Sequence, residues 1–214
     1  MIKKIIAIIL LLATLTLSFA GCSKNDPLKD YTEDTSTEKK DYYYVAMAIK
    51  NHGVIIVKLD AVNAPITTAN FVKLVREGFY NGLTFHRVIE NFMIQGGDPN
   101  GDGTGSSPDK IDGEFISNGY FNPIKHEKGV ISMARGNSMD SASCQFFICN
   151  SSSASVSGLD GKYAAFGHVV EGLEIVDKIT EETAPYGDYN GTINNKKKQA
   201  VILEMMVIEY EENQ

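Results

Sequence analysis

Three stretches concentrate the side chains able to act on a ligand. They are Phe85-His86-Arg87-Val88-Ile89-Glu90-Asn91-Phe92-Met93-Ile94-Gln95-Gly96-Gly97-Asp98, then Ser132-Met133-Ala134-Arg135 followed by Gln145-Phe146-Phe147-Ile148, and Leu159-Asp160-Gly161-Lys162-Tyr163-Ala164-Ala165-Phe166-Gly167. Together they offer a permanent cation, neutral amides and large apolar side chains. The chain has no HExxH, GxSxG or CxxC, so hydrolase and thiol-redox chemistry have no support. Alternation along a strand puts Phe92 and Ile94 on one face of 92–95 and Met93 and Gln95 on the other. With that strand in a barrel wall, Met93 and Gln95 line an outer groove. Arg87 has the parity of Phe85 and Met93, unless a turn at Glu90-Asn91 resets it. Phe146 and Phe147 point opposite ways, one into a core and one free to line a site.

Metal and disulfide chemistry are weaker readings. The run from Asp98 to Gly103 has oxygen-bearing residues at positions one, three and five, a Gly at six and Asp109 at twelve. It follows a strand rather than a helix and lacks the bidentate Glu of a calcium loop, so no metal is expected there. His52, His126 and His168 show no ligand spacing. Cys144 and Cys149 are five apart, so on one strand they face opposite sides and do not bridge.

The elements that would position these residues are short strands. Residues 43–50 and 54–59 read as a hairpin around Asn51-His52-Gly53. Pro65 starts a helix, with Thr67 or Thr68 as its cap; Phe71, Leu74, Val75 and Phe79 mark its buried face and Gly78 closes it. Strands are expected at 84–88, 92–95, 129–134, 145–149 and 164–169. A second helix covers 172–179, a polar loop 187–198 and a last strand 200–210. Strands with two isolated helices and no βαβ alternation predict a closed antiparallel barrel with helices over its openings.

FHRVIENFMIQGGD, SMAR with QFFI, and LDGKYAAFG, in this order and spacing, resemble the cyclophilins, the peptidyl-prolyl cis-trans isomerases. The resemblance spans about 54–170 and, more loosely, the whole domain. It implies a mainly β fold, an eight-stranded antiparallel barrel capped by two helices. It implies that Arg87 is the catalytic arginine and that Phe92, Met93, Phe147 and Leu159 wall a proline pocket. Gln95 and Gln145 would hold the arginine and the substrate backbone, and Ala134 and Arg135 would belong to the strand that pairs with the peptide. Tyr163 stands where many members have His, and His86 matches the histidine beside the arginine. Gly158 stands where many eukaryotic members carry Trp, Arg135 where Asn is common, and Cys144 where Ser is usual. The implied activity is rotation about X–Pro bonds, which needs no cofactor. The alternative is a non-catalytic proline-peptide-binding module or holdase.

The 214 residues carry a formal net charge of −7 and a pI near 5.1, which argues against nucleic acid as a partner. Lys3 and Lys4 precede an uncharged aliphatic run that ends Phe19-Ala20-Gly21-Cys22, resembling a bacterial lipoprotein signal. The expected organisation is therefore a signal peptide at 1–21, a lipidated Cys22 opening a disordered polar tether over 22–41, and the isomerase domain at 42–214. Loss of Lys3 and Lys4 with the leader leaves a mature charge of −9, so acyl chains rather than electrostatics would hold the protein to a membrane. The expected place is the extracytoplasmic face of the cell membrane. The expected partners are proline-containing unfolded or partly folded chains. No heptad or broad apolar stripe is visible, so a monomer is expected.

Overall fold

The computed structural model describes residues 26–211; the expected leader and Cys22 lie outside the described residues. Within it, eight strands close into one barrel: β1 (Tyr42–Ile49), β2 (Gly53–Asp60), β3 (Thr84–Ile89), β4 (Met93–Gly96), β5 (Val130–Met133), β6 (Phe146–Cys149), β7 (Ala165–Glu171) and β8 (Ala200–Ile208). The order round the wall is β1-β2-β7-β5-β6-β4-β3-β8, with β8 paired back to β1. Every paired neighbour is antiparallel. This is the mainly β barrel that the alternating pattern predicts.

Helix α1 (Pro65–Arg76) and helix α3 (Leu173–Thr183) feed apolar side chains into the barrel core, and a single turn, α2 (Ala154–Ser157), precedes Gly158. Phe71 of α1 meets Tyr80, Phe146 and Phe166 with ring centroids 4.9, 5.4 and 5.2 Å away. Gly97 lies at the end of β4 with φ +80°, and a Cβ there would stand 2.8 Å from the Cys144 carbonyl oxygen, so glycine is required for the two chains to pass. Cys144 and Cys149 are free and buried; only Cys149 lies on β6, with Cys144 two residues before that strand.

Three expectations are corrected. Neither Thr67 nor Thr68 caps α1. The buried Glu114 carboxylate does so from a distant loop, accepting the N–H groups of Ile66 at 2.9 Å and Thr67 at 2.8 Å. A carboxylate at a helix N-terminus satisfies orphan donors and complements the dipole. Helix α3 runs to Thr183 rather than 179, where Thr180 and Thr183 donate their hydroxyls back to Val176 and Ile179.

The third correction concerns the disordered tether expected over 22–41. Its described part, 26–41, packs on the barrel. Asp34 N–H donates to Val207 O at 2.8 Å and Glu209 N–H to Thr32 O at 2.9 Å, so this strap covers the edge of β8 beyond its pairing with β3. Leu28, 2% exposed, sits among Ala46, Ala48, Ile56 and Ile208 on the outer wall. The Arg76 guanidinium donates to Ser36 O at 2.7 Å, and Lys40 pairs with the buried Asp34 at 2.6 Å. Backbone bonds to an open sheet edge supply what the aliphatic-poor sequence could not.

Candidate active site

Arg87 lies on β3 opposite Gln95 on β4. The pairing slips by one residue between Phe85 and Arg87. This bulge breaks the parity that the sequence gives them, so Phe85 points into the core while Arg87 reaches the outer groove. The turn joining β3 to β4 needs a positive φ, which Asn91 adopts at 58°. Ser151 and Ser153 donate to Asn91 O, and Asn150 Nδ2 donates to Ile89 O, so the loop after β6 clamps this turn. Phe92 leaves the turn beside Met93.

The groove holds a cavity of about 320 Å³. Phe92, Met93, Phe147 and Leu159 form its apolar wall, and Arg87, Gln95, Ala134, Arg135 and Tyr163 its rim. Phe147 is opposite Gln95 on β6 and meets Tyr163 edge-on, 5.9 Å between centroids. Cys149 and Val156, both fully buried, back the slot.

The polar rim is one directed chain. Backbone carbonyls can only accept, so Gln145 Nε2 donates to Gly103 O at 3.1 Å and Gly105 O at 2.8 Å. Gln145 Oε1 then accepts from Gln95 Nε2 at 2.9 Å, and Gln95 Oε1 accepts from Arg87 Nη1 at 3.2 Å. Arg87 Nε donates to Asn190 O at 2.8 Å, which fixes the other edge of the guanidinium. Burial pulls the Arg87 pKa down from its ordinary value, with Tyr163 and Asp188 opposing; an arginine keeps its charge regardless. No carboxylate pairs with Arg87 among the described residues.

The sequence profile described as "Cyclophilin type peptidyl-prolyl cis-trans isomerase/CLD" matches residues 44–207. The chain belongs to this family. Among similar proteins, a peptidyl-prolyl cis-trans isomerase of Helicobacter pylori is 41% identical over 158 residues, covering 73% of this chain and 91% of that protein. Peptidyl-prolyl cis-trans isomerase B of Escherichia coli is 38% identical over 168 residues, covering 74% and 95%. A crystal structure of a Cryptosporidium parvum cyclophilin type peptidyl-prolyl cis-trans isomerase, in the presence of the dipeptide ala-pro, superposes with TM-score 0.66 at 26% identity. That match covers 78% of this chain and 99% of the other.

Of the residues expected at the site of this cyclophilin, nine gather round the slot, and Gln145 reaches it through Gln95. His86 does not. It occupies the bulge, is 1% exposed, and lies behind the groove against Gly103, with neither ring nitrogen bonded. Burial lowers its pKa, Arg87 lowers it further, and Asp98 and Asp102 oppose. Asp98, which opens the loop weighed as a calcium site, turns its carboxylate to the N–H groups of Asn100, Asp102 and Gly103.

Two supporting residues escaped the sequence reading, Asn150 at the β3–β4 turn and His126. His126 stacks on Phe147 with 6.1 Å between centroids and is itself pinned by Asp160 and Ser132, each at 3.0 Å. Burial pushes the Asp160 pKa up, but its bonds from His126 outweigh this and leave it below the usual value. A lone histidine without ligand spacing carries no signal for such a role. A larger cleft of about 680 Å³ lies beyond the β3–β4 turn. Its charged lining is Glu90, Asp177, Glu181, Asp188 and one lysine, Lys128, already paired with Asp177 at 2.8 Å, so it offers no uncommitted cation.

Proposed function

We propose that this chain accelerates rotation about X–Pro peptide bonds, with Arg87 as the catalytic cation. The observation that carries the reading is a guanidinium without a carboxylate partner among the described residues, held by Gln95 at the mouth of a slot walled by Phe92, Met93, Phe147 and Leu159. Conjugation gives the peptide bond a rotational barrier of about 18–20 kcal/mol. As the X–Pro bond twists, conjugation is lost and the proline nitrogen gains a lone pair. A cation aimed at that nitrogen stabilises the twisted state more than either planar state. The apolar slot holds the pyrrolidine ring while the preceding carbonyl swings. Lowering the barrier by about 7 kcal/mol would speed rotation about 10⁵-fold. Ala134 N–H is engaged by Gln145 O at 3.0 Å, so a bound peptide would pair with the chain just beyond it, at Arg135.

We further propose that the protein is a lipoprotein anchored through Cys22 on the outer face of the cell membrane, where exposed X–Pro bonds of folding secreted chains would be its substrates. The basic start, aliphatic run and Phe19-Ala20-Gly21-Cys22 support this. A prolyl tetrapeptide assay tests the enzymatic claim. Arg87→Ala is expected to lower kcat/KM by about 100- to 1,000-fold, the scale for removing one preorganised donor. Equal, near-background rates for both proteins, with peptide still bound, would favour the non-catalytic binding module instead.

A further inference from the structure

We propose that Arg135 makes this groove selective for peptides carrying a carboxylate within two residues of the proline. The inference rests on the isomerase reading and assigns a substrate class to the same groove. Arg135 lines both the proline slot and an adjoining pocket of about 210 Å³, so a chain extending from the slot passes its guanidinium. That guanidinium is held in place. Its Nε donates to Lys162 O at 3.1 Å and its Nη1 to Gly136 O at 3.0 Å. Its Cζ lies 4.8 Å from the Tyr163 ring centroid and 5.2 Å from that of Phe115. A fixed fork loses little side-chain freedom when a ligand arrives.

All four of those partners are neutral. No carboxylate pairs with Arg135 among the described residues, and none lines the slot or the adjoining pocket. The acids of this region are bonded to other groups: Asp160 to His126 and Lys125, Asp140 to Gly113 N–H and Asn118, and Asp188, which acts on Arg87 from outside the slot, to the N–H groups of Asn190 and Thr192. The groove is therefore a cationic window, holding Arg87 and Arg135, in a chain of net charge −7. A carboxylate on a chain leaving the slot meets the Arg135 guanidinium, which no acid offsets, while Arg87 already feels Asp188; a lysine side chain there is repelled.

The test is a panel of peptides with Asp, or its uncharged isostere Asn, placed one or two positions before or after the proline. Kd is read by NMR titration and turnover by exchange spectroscopy. At one position or more, the Asp peptide is expected to bind about three- to tenfold tighter than the Asn peptide at low salt. The ratio should shrink toward one at high ionic strength. Arg135→Gln should abolish it and Arg135→Lys should retain part of it. A ratio near one at all four positions, or one that survives in Arg135→Gln, overturns the proposal. Turnover of the Asn peptides tests the isomerase reading separately, since the Kd ratio stands whether or not exchange is catalysed.

Discussion

Arg87 can act on a twisting imide only if its guanidinium keeps its aim, and one edge depends on Gln95 Oε1 at 3.2 Å. Gln95→Leu preserves bulk and removes that acceptor. Its expected effect is a fall of about tenfold in kcat with a much smaller change in peptide Kd, because the loss falls on transition-state geometry. An unchanged kcat would mean that Asn190 O alone fixes the side chain. A second residue with a testable consequence is His86, buried with both ring nitrogens unbonded. Burial lowers its pKa, so the folded state resists a proton that the unfolded chain accepts. Stability is then whole above the unfolded histidine value of about 6.5 and falls as the pH drops below it toward the folded value. His126 acts in the same direction. His86→Leu removes one of the two contributions, so its melting temperature should fall less between pH 6.5 and 5 than that of the wild type; parallel acid limbs would contradict this. Arg87, Met93, Gln95, Phe147 and Leu159 were legible in the sequence because they stand in dense motifs. His126 and Asn150 were not, because each supports the site across a sequence gap that no local pattern spans.

At the scale of elements, the strands were readable from alternation, but the devices that break alternation were not. The bulge at Phe85 and Arg87 turns two residues of equal parity to opposite sides, and only pairing with β4 reveals it. The same holds for the start of α1. Pro65 announced a helix, while its cap comes from Glu114, 47 residues beyond Thr67. Glu114→Gln keeps the shape but weakens both charge-assisted bonds, and Glu114→Ala leaves two backbone donors without acceptors. Chemical denaturation should show losses of about 1 kcal/mol for the first and about 2–3 kcal/mol for the second. Equal stability of Glu114→Ala and wild type would show that the N-terminus of α1 is satisfied without this side chain. Because Asn122 Nδ2 also donates to Glu114 O while bonding Ala165 O, this loop ties α1 to β7. Its loss should therefore loosen the barrel core before the groove.

For the whole molecule, the strap changes what an N-terminal anchor would do. The polar composition of 22–41 allowed a long free spacer, but from Asp26 onward the chain lies on the barrel. Its register against β8 could not be read from composition, since that register is set by backbone bonds that any residue type can make. From Cys22 to Asp26 there are four residue steps, which reach about 14 Å at full extension. An acylated Cys22 would thus hold the barrel close to the bilayer. It would also orient it. The strap's apolar patch rests on β8, β1 and β2, whereas the groove is built on β5, β6, β4 and β3, on the opposite side of the ring. The anchored protein is therefore expected to turn its groove toward bulk solution, where folding chains arrive. Single-cysteine probes on the lipidated protein in vesicles check this, with Cys144 and Cys149 buried and out of reach of label. A fluorophore at Lys29→Cys on the strap should be quenched strongly by a lipid-borne quencher, and one at Lys162→Cys beside the groove only weakly. Replacing Leu28 with Asp should release the strap and lengthen the tether, bringing the two signals together. Equal quenching in the unmodified strap would mean that the barrel tumbles freely on its anchor and that the strap does not orient it.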